Sequence, residues 1–507
     1  MHEVVNFSCS HAAGHVITQL YNVQESHLPY TRNKTLTHSN DVFLVPTRVK
    51  GKTNYYPRSI NVEFSGGFGA LGKHEYREGK ISPDAYNDVV IDRQERHVKN
   101  EYQLRLDAGK PTDASLLSTE NTSHWTDYNK LIYRPESLVS LGGFNHPEGT
   151  HKNFPRLRFD DFNVGESEFK GVSEEIDDVF RKNLEQSDQI QGVSFFSECD
   201  SAWAGFTSEM MVFLRDEYFG NGVSSKYNLW TYGLMTPGDF SSTAGATSLK
   251  THQLLTRIKA MTEFAANSTL FIPLVPPKTP QSFLSSHYDS SNLWHRGAVQ
   301  SMFVNSLWGL NCQVQNGVSM ATIENGLLRG NTNRNIVNEI SLHPLIPEQK
   351  DSGFGIVSDV NIMDMYLNAG KVEANPAPPQ DTHNSALNLG LTATSTDHLY
   401  AKGVICSKQP ESGLSDLVTD TYVNPYMDEI TKMDSFPGVI EANGFSAEFL
   451  QTSSLKPLLK EYRKIVERVR LPQHMEILSD KAEVIESLSS LMEEYTAGFS
   501  DESDYDD

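Results

Sequence analysis

Several short stretches of this chain are apolar without the alternation of a half-buried strand. EVVNFSC (3–9), IQGVSFF (190–196), NLWTYGL (228–234) and TLFIPL (269–274) are each bounded by turn or polar residues. Runs of this length read as strands buried on both faces. Between them the period changes. After 3–9, SHAAGH makes a tight turn, and Val16, Leu20 and Tyr21 continue at helical spacing. After 190–196, Phe206, Met210, Phe213, Leu214 and Tyr218 recur with a helical period, and 248–266 repeats the pattern. Strands alternating with long helices predict a parallel sheet covered by helices on both faces.

The rest of the chain is less regular. Residues 23–50 and 64–125 are polar, and 140–165 is rich in Gly, His and Asn. Residues 281–440 give mixed signals, interrupted by NPAPPQDTHNS (375–385), which reads as an exposed linker. Periodicity returns near the end. Leu458, Tyr462, Ile465, Val466 and Val469 mark one amphipathic helix, stopped by Pro472, and Met475, Leu478, Ala482, Ile485, Leu488 and Met492 trace a second. The final EEYTAGFSDESDYDD carries seven carboxylates in fifteen residues, so a solvated tail is expected.

Composition narrows the classes of function. The 507 residues are 38% hydrophobic, enough for a large core, and carry a formal net charge of −22. Such a surface is repelled by phosphate backbones, which disfavours nucleic-acid binding. No run approaches the roughly 18 apolar residues of a membrane span. The first Lys or Arg is Arg32, so neither a secretory leader nor a matrix presequence is expected. Cys9, Cys199, Cys312 and Cys406 are too dispersed for a disulfide framework or zinc ribbon. A reduced, cytosolic setting follows, in which the sequons at Asn33, Asn121 and Asn267 carry no meaning.

The order of pieces is specific. MHEVVNFSCSHAAGHVITQLYN resembles the first strand, phosphate loop and first helix of tubulins. NYYPRSINVEF (54–64) resembles the tubulin YVPR segment and its following strand, and QGVSFF…RDEYF (191–219) the strand, glycine loop and helix ending in an REEYP-like turn. Two C-terminal helices and an acidic tail complete the likeness. MHEVV, HWTDYNK (124–130), the Asp200…Gly205-Phe206 loop and the RDEY turn resemble in particular a fungal member of the Misato/Dml family of tubulin-like proteins. The resemblance implies an α/β, tubulin/FtsZ-like fold. Residues 1–275 would form the nucleotide-binding-type domain, 276–440 a second α/β domain, 441–492 the C-terminal helices and 493–507 the acidic tail.

The resemblance also says where a nucleotide would sit. Tubulins hold GTP with backbone amides of glycine-rich loops and helix N-termini. The corresponding residues here are Ser10, His11, Glu63, Asp200, Ser201 and Gly205. The loop CDSAWAGF (199–206) is one residue short and keeps a single glycine. Trp203 adds bulk, and the Asp200 carboxylate would face phosphate. At about 4 Å and an effective dielectric near 20, that repulsion is about 4 kcal/mol, or roughly a thousandfold in affinity. Asp200 with Ser201 is more simply read as a helix N-cap, and Trp203 with Phe206 as core. Ser10, His11, Ala12 and Ala13 replace the first phosphate loop, with Gly14 one place late. Glu63 matches an acidic position facing magnesium, and the next acidic position is Ser65. The GxxNxD loop by which one tubulin completes its neighbour's site has no match in 281–350. These losses predict a non-enzyme, with GTP and magnesium disfavoured.

Other chemistry is weaker. His11 and His15 stand four apart, a spacing that can bind zinc, but without a third ligand they read as loop and helix-start residues. FSGGFGALG (64–72) lacks the P-loop Lys-Ser/Thr ending and reads as a flexible surface loop, and no GxSxG elbow exists. Lys460, Arg463, Lys464, Arg468 and Arg470 form a basic helix face, read as solvated.

For function, the resemblance implies a non-catalytic protein of mitochondrial partitioning, morphology and mitochondrial DNA inheritance. It would be peripheral on the cytosolic face of the organelle and also cytoplasmic. The partners implied are outer-surface mitochondrial proteins, tubulin and the cytosolic chaperonin. The alternatives are a GTPase switch or polymer-forming tubulin relative, or a tubulin/chaperonin assembly factor.

Overall fold

A computed structural model describes residues 2–29, 37–49, 51–71, 97–220, 227–237, 248–345, 386–392, 398–408, 418–470, 477–478 and 481–496. The linker at 375–385, Pro472, Met475 and most of the acidic tail lie outside them.

β1 (Glu3–Cys9) runs directly into α1 (His11–Ser26). A ribbon of β2 (Leu44–Val49) and β3 (Lys52–Pro57) leads to β4 (Ser59–Ser65). The short α2 (Glu101–Asp107) and a 3-10 turn over Trp125–Tyr128 precede β5 (Leu138–Asn145), β6 (Thr150–His151) and the long α3 (Phe162–Glu185). Then β7 (Ile190–Glu198), α4 (Trp203–Leu214), β8 (Asn228–Leu234), α5 (Ser248–Asn267) and β9 (Leu270–Leu274) alternate as the hydrophobic pattern predicts. α4 passes into a π-turn over Arg215–Phe219, the end of the helical run read from the sequence.

These strands form one sheet in the order β6-β5-β4-β1-β7-β8-β9, parallel except for β6. Phe7 of β1 pairs with Ile60 on one side and Phe195 on the other. The chain builds outward from β1 through β4, then returns to its other side with β7. In open α/β sheets such a reversal puts the ligand crevice at the carboxyl ends of those strands.

Two apolar layers flank the sheet. One contains Phe7, Phe195, Ile176 of α3, Phe206 and Met210 of α4, and Ile258 of α5. The other contains Val4, Ile17 and Leu20 of α1, and Met302, Phe303 and Leu307 of α6 (Leu293–Asn311). Of α6 only Leu293, Arg296 and Asn311 escape burial. Its far side meets a second sheet, with Phe303 and Phe449 ring centroids 5.8 Å apart. That sheet follows α7 (Met320–Leu328). It comprises β10 (Glu339–Pro344), β11 (Leu387–Asn388), β12 (Leu399–Cys406), β13 (Thr419–Val423) and β14 (Phe445–Thr452), in the order β11-β10-β14-β12-β13. Finally α8 (Leu455–Arg468) and α9 (Lys481–Glu494) add Leu459, Val466, Val484 and Leu488 to the α3–α5 layer.

The structure departs from the sequence reading in definite places. β5 and the start of α3 occupy a stretch read as irregular, and α6 the region that could not be divided. β14 belongs to the second sheet, although it lies beyond residue 440. The described part of the 64–72 stretch, 64–71, is no flexible surface loop: Phe68 and Leu71 are buried with Trp125, Tyr133 and Leu138.

Candidate functional site

At the carboxyl end of β1 the chain must turn sharply into α1. Ser10 makes the turn at φ 134°, a region that favours glycine, and its Oγ accepts the Ala13 amide at 3.1 Å. The serine thus trades backbone strain for a helix cap. His11 follows as the first helical residue. Its Nδ1 lies 2.9 Å from Glu63 Oε1, and its Nε2 lies 3.0 Å from the Ser123 carbonyl. Burial alone would pull this imidazole down. The Glu63 charge and hydrogen bond, with the Ser123 carbonyl, carry it above its ordinary value instead.

Glu63, on β4, is 1% exposed and also accepts the Trp125 indole N–H at 2.8 Å, again on Oε1. Trp125 is fully buried in its 3-10 turn, which Asp127 caps by accepting the His124 amide at 2.8 Å. The indole abuts α1 at Gly14, where a Cβ would come within 2.3 Å of the ring. Gly14 therefore seats a tryptophan, in the stretch where the resemblance would put a phosphate loop.

Histidines surround this pair. The His146 ring centroid is 4.2 Å from that of His11 and 4.9 Å from that of His124, and His97 lies beyond His124 at 4.4 Å with its ring tilted. Burial, then the neighbouring imidazoles, push His124 and His146 each down to about 3. His15, wholly buried, is held well below its usual range mainly by burial, with its Nδ1 2.7 Å from the Tyr128 hydroxyl. The two-residue reading of His11 and His15 was thus incomplete: the site's further histidines come from other segments.

The β7 side differs. Asp200 is no helix cap. α4 starts after Ala202 with no side-chain cap, and Ser201 Oγ lies 3.5 Å from Glu198 Oε2. The Asp200 carboxylate turns toward β8 and α5. Arg257 grips it through Nε at 2.5 Å and Nη2 at 2.8 Å, while Thr236 donates its amide at 2.6 Å and hydroxyl at 2.7 Å. Both side chains are at most 5% exposed. Burial opposes the Arg257 charge, but Asp200 outweighs it and holds the guanidinium above its usual range. The expected repulsion of phosphate by Asp200 fails for the same reason, since the charge is neutralised inside the protein. Glu198, half-buried beside it, has its carboxyl raised by desolvation, against Arg296 and the Ser10 hydroxyl.

Gly205 also has a packing role. A Cβ there would stand 1.9 Å from the Phe162 carbonyl oxygen, and one at Gly165 would stand 1.8 Å from that of Ala202. The two glycines let α3 and α4 meet backbone to backbone. Trp203 is core, as expected, with its rings 4.9 Å from Phe64 and 4.8 Å from Phe159.

The sequence-derived residues therefore divide. Ser10, His11 and Glu63 come together; Asp200, Ser201 and Gly205 serve the neighbouring helices. Trp125, His124, His146 and Arg257 were missed. HWTDYNK was visible only as a family signature, and nothing local in the sequence marks His146 or Arg257. None of the glycines just described lies open to a phosphate, and the Trp125 indole fills the space at Gly14, so the described residues do not fit a tubulin-type magnesium nucleotide.

Fold order and site position define a tubulin-like protein. Residues 114–311 match the family described as a tubulin domain, and residues 2–108 match the Misato Segment II tubulin-like domain. Protein DML1 of Debaryomyces hansenii is 37% identical over 99% of both chains. The DML1 proteins of Scheffersomyces stipitis and Candida albicans are 35% identical over 98% of this chain and 97% of theirs, and 32% identical over the full length of both. The chain belongs to the Misato/Dml family, among its fungal members. Among the described residues, no helix is long and apolar enough to cross a membrane.

Proposed function

We propose that this chain is a non-catalytic tubulin relative that acts in mitochondrial partitioning, morphology and mitochondrial DNA inheritance. It works as a peripheral protein at the cytosolic face of the organelle and in the cytoplasm. Family membership supports the cellular role. The observation that carries the non-catalytic reading is the Trp125 indole seated on Gly14 and hydrogen-bonded to Glu63. Phosphoryl chemistry needs phosphate, metal and water clamped together. Here the carboxylate nearest the metal position holds a tryptophan and a histidine. Its surface contacts are with outer-surface mitochondrial proteins, and tubulin and the cytosolic chaperonin are expected partners during folding or assembly.

The test is conditional depletion in a fungal host, followed by imaging of the mitochondrial network and scoring of mitochondrial DNA transmission. Fragmented or misplaced mitochondria with unequal transmission are expected, restored by the wild-type chain. Normal networks and transmission after depletion would overturn the role. Co-purification with tubulin or chaperonin, with no mitochondrial fraction, would favour an assembly factor.

A further inference from the structure

Two trios of side chains in the described part of the molecule bring potential metal ligands within 4.8 Å of one another: His11–Glu63–His146 and His97–His124–Asp127. The second has spent its carboxylate. Asp127 Oδ1 pairs with His97 Nε2 at 3.0 Å, and Oδ2 accepts the His124 amide. The first has not. Both Glu63 hydrogen bonds fall on Oε1, while Oε2 is buried with no partner among the described residues. It points at Gly67, where a Cβ would come within 2.6 Å, so the glycine leaves that oxygen its space. A buried, unpaired carboxylate oxygen is costly unless something else satisfies it.

The surroundings have the form of an outer shell. Metal-bound histidines commonly give their second ring nitrogen to a backbone carbonyl, and ligating carboxylates are themselves hydrogen-bonded. Here His11 Nε2 meets the Ser123 carbonyl, which presents Nδ1 toward Glu63, and the Trp125 N–H fixes Oε1. His146 arrives by a break in strand register. Phe64 pairs with Leu141, but Ser65 pairs with Asn145, and the His146 amide donates to the Ser65 carbonyl at 3.0 Å. Such irregularities re-aim side chains.

We propose that His11, Glu63 and His146 bind a divalent transition-metal ion of the zinc class. Two imidazoles and one carboxylate suit a four-coordinate ion with a water in the remaining position. Magnesium or calcium requires a shell of oxygens, and this trio supplies one carboxylate. Zinc at about 2.0–2.2 Å from each donor spaces them by about 3.3 Å. His11 Nδ1 and Glu63 Oε1 stand 2.9 Å apart, so a small parting admits the ion, which replaces the proton between them while Oε2 stays available as the carboxylate's second donor. The ion would tie the start of α1, the end of β4 and the segment after β5 together. This inference is independent of the mitochondrial role.

The test strips the full-length protein with chelator, then titrates Zn2+ against a competing chromophoric chelator and Co2+ with visible absorption. One tight equivalent is expected, with the d–d bands of a four-coordinate Co2+ site. His146→Ala, at a half-buried position, should weaken binding by at least tenfold to about a hundredfold, the cost of losing even an outer-shell partner. His97→Ala should leave it unchanged, and equal melting temperatures of the metal-free proteins show that both variants fold. No stoichiometric binding would overturn the site. So would a loss in His97→Ala equal to or greater than that in His146→Ala.

Discussion

The two sides of the crevice, at the ends of β4 and β7, each bury a carboxylate beside a basic side chain, yet they are built differently. Asp200 is saturated: a two-pronged guanidinium plus an amide and a hydroxyl account for both of its oxygens. Glu63 crowds both of its hydrogen bonds onto one oxygen. The Asp200 arrangement is a closed brace between the end of β7, the end of β8 and α5. The Glu63 arrangement is polar and has acceptor capacity left over. In a tubulin-like scaffold, the loop after β7 has thus become structure, and the carboxyl ends of β1 and β4 have kept the makings of a site.

The sharpest test of that contrast compares single removals. Asp200→Ala leaves Arg257 buried and uncompensated, at an expected cost of about 3–5 kcal/mol. A cap alone would cost about 1 kcal/mol. Asp200→Leu with Arg257→Met should recover most of the loss, because a buried pair is often replaceable by apolar residues. Glu63→Gln keeps an acceptor for Trp125 and should cost about 1–3 kcal/mol. Chemical denaturation of the four proteins measures the order. Equal losses at Asp200 and Glu63 would erase the distinction drawn here.

Next in size is the tryptophan seat. Gly14→Ala forces a methyl into the Trp125 ring and should cost about 1–3 kcal/mol by overpacking. Combined with Trp125→Leu the two changes should be less than additive, with a coupling of about 0.5–3 kcal/mol. Strict additivity would mean that the indole does not rest on Gly14.

How much of this was legible follows from which forces act locally. β1, β7, β8 and β9 are buried on both faces, so their apolar runs announce them. α6 is buried all round and mixes His295, Gln300, Asn305 and Ser306 among its apolar residues, so it shows no period. β5 was hidden by Gly142 and Gly143 at the register break. In the site, tubulin order named Ser10, His11 and Glu63, and the fold brings the three together. Their partners are long-range: Ser123 is 112 residues from His11 and Trp125 is 62 from Glu63, while Arg257 is 57 from Asp200. Which way the Asp200 side chain turns is decided by an arginine on a later helix, and no local pattern encodes it. Gly205 was read by analogy as a phosphate glycine and Gly14 as one displaced by a residue, because sequence cannot tell a glycine that admits a ligand from one that admits a neighbour.

Smaller effects refine the same account. Ser10→Gly removes the cap but relieves the φ 134° strain, whereas Ser10→Ala removes the cap and keeps the strain. The glycine variant should be more stable by roughly 1 kcal/mol or more. The reverse order would show that the φ 134° turn carries no strain. The smallest effect lies away from the crevice, in the second sheet. Glu448 is drawn down to about 2, first by its hydrogen bond from His343 and then, against burial, by Lys402. A carboxylate lowered on folding contributes fully above its unfolded value and loses that contribution as pH falls toward 2. Glu448→Gln should therefore flatten the acid limb of stability by about 1 kcal/mol or less and leave neutral pH nearly unchanged in slope. An unaltered limb would remove Glu448 from the acid response.

The central claim is that the crevice holds this chain's own side chains where a tubulin would hold nucleotide. Its most direct test is the guanine nucleotide released on denaturing the purified full-length protein, followed by titration of GTP with magnesium. The account predicts no stoichiometric nucleotide and no saturable binding at physiological GTP. One equivalent of GTP or GDP per chain would contradict it.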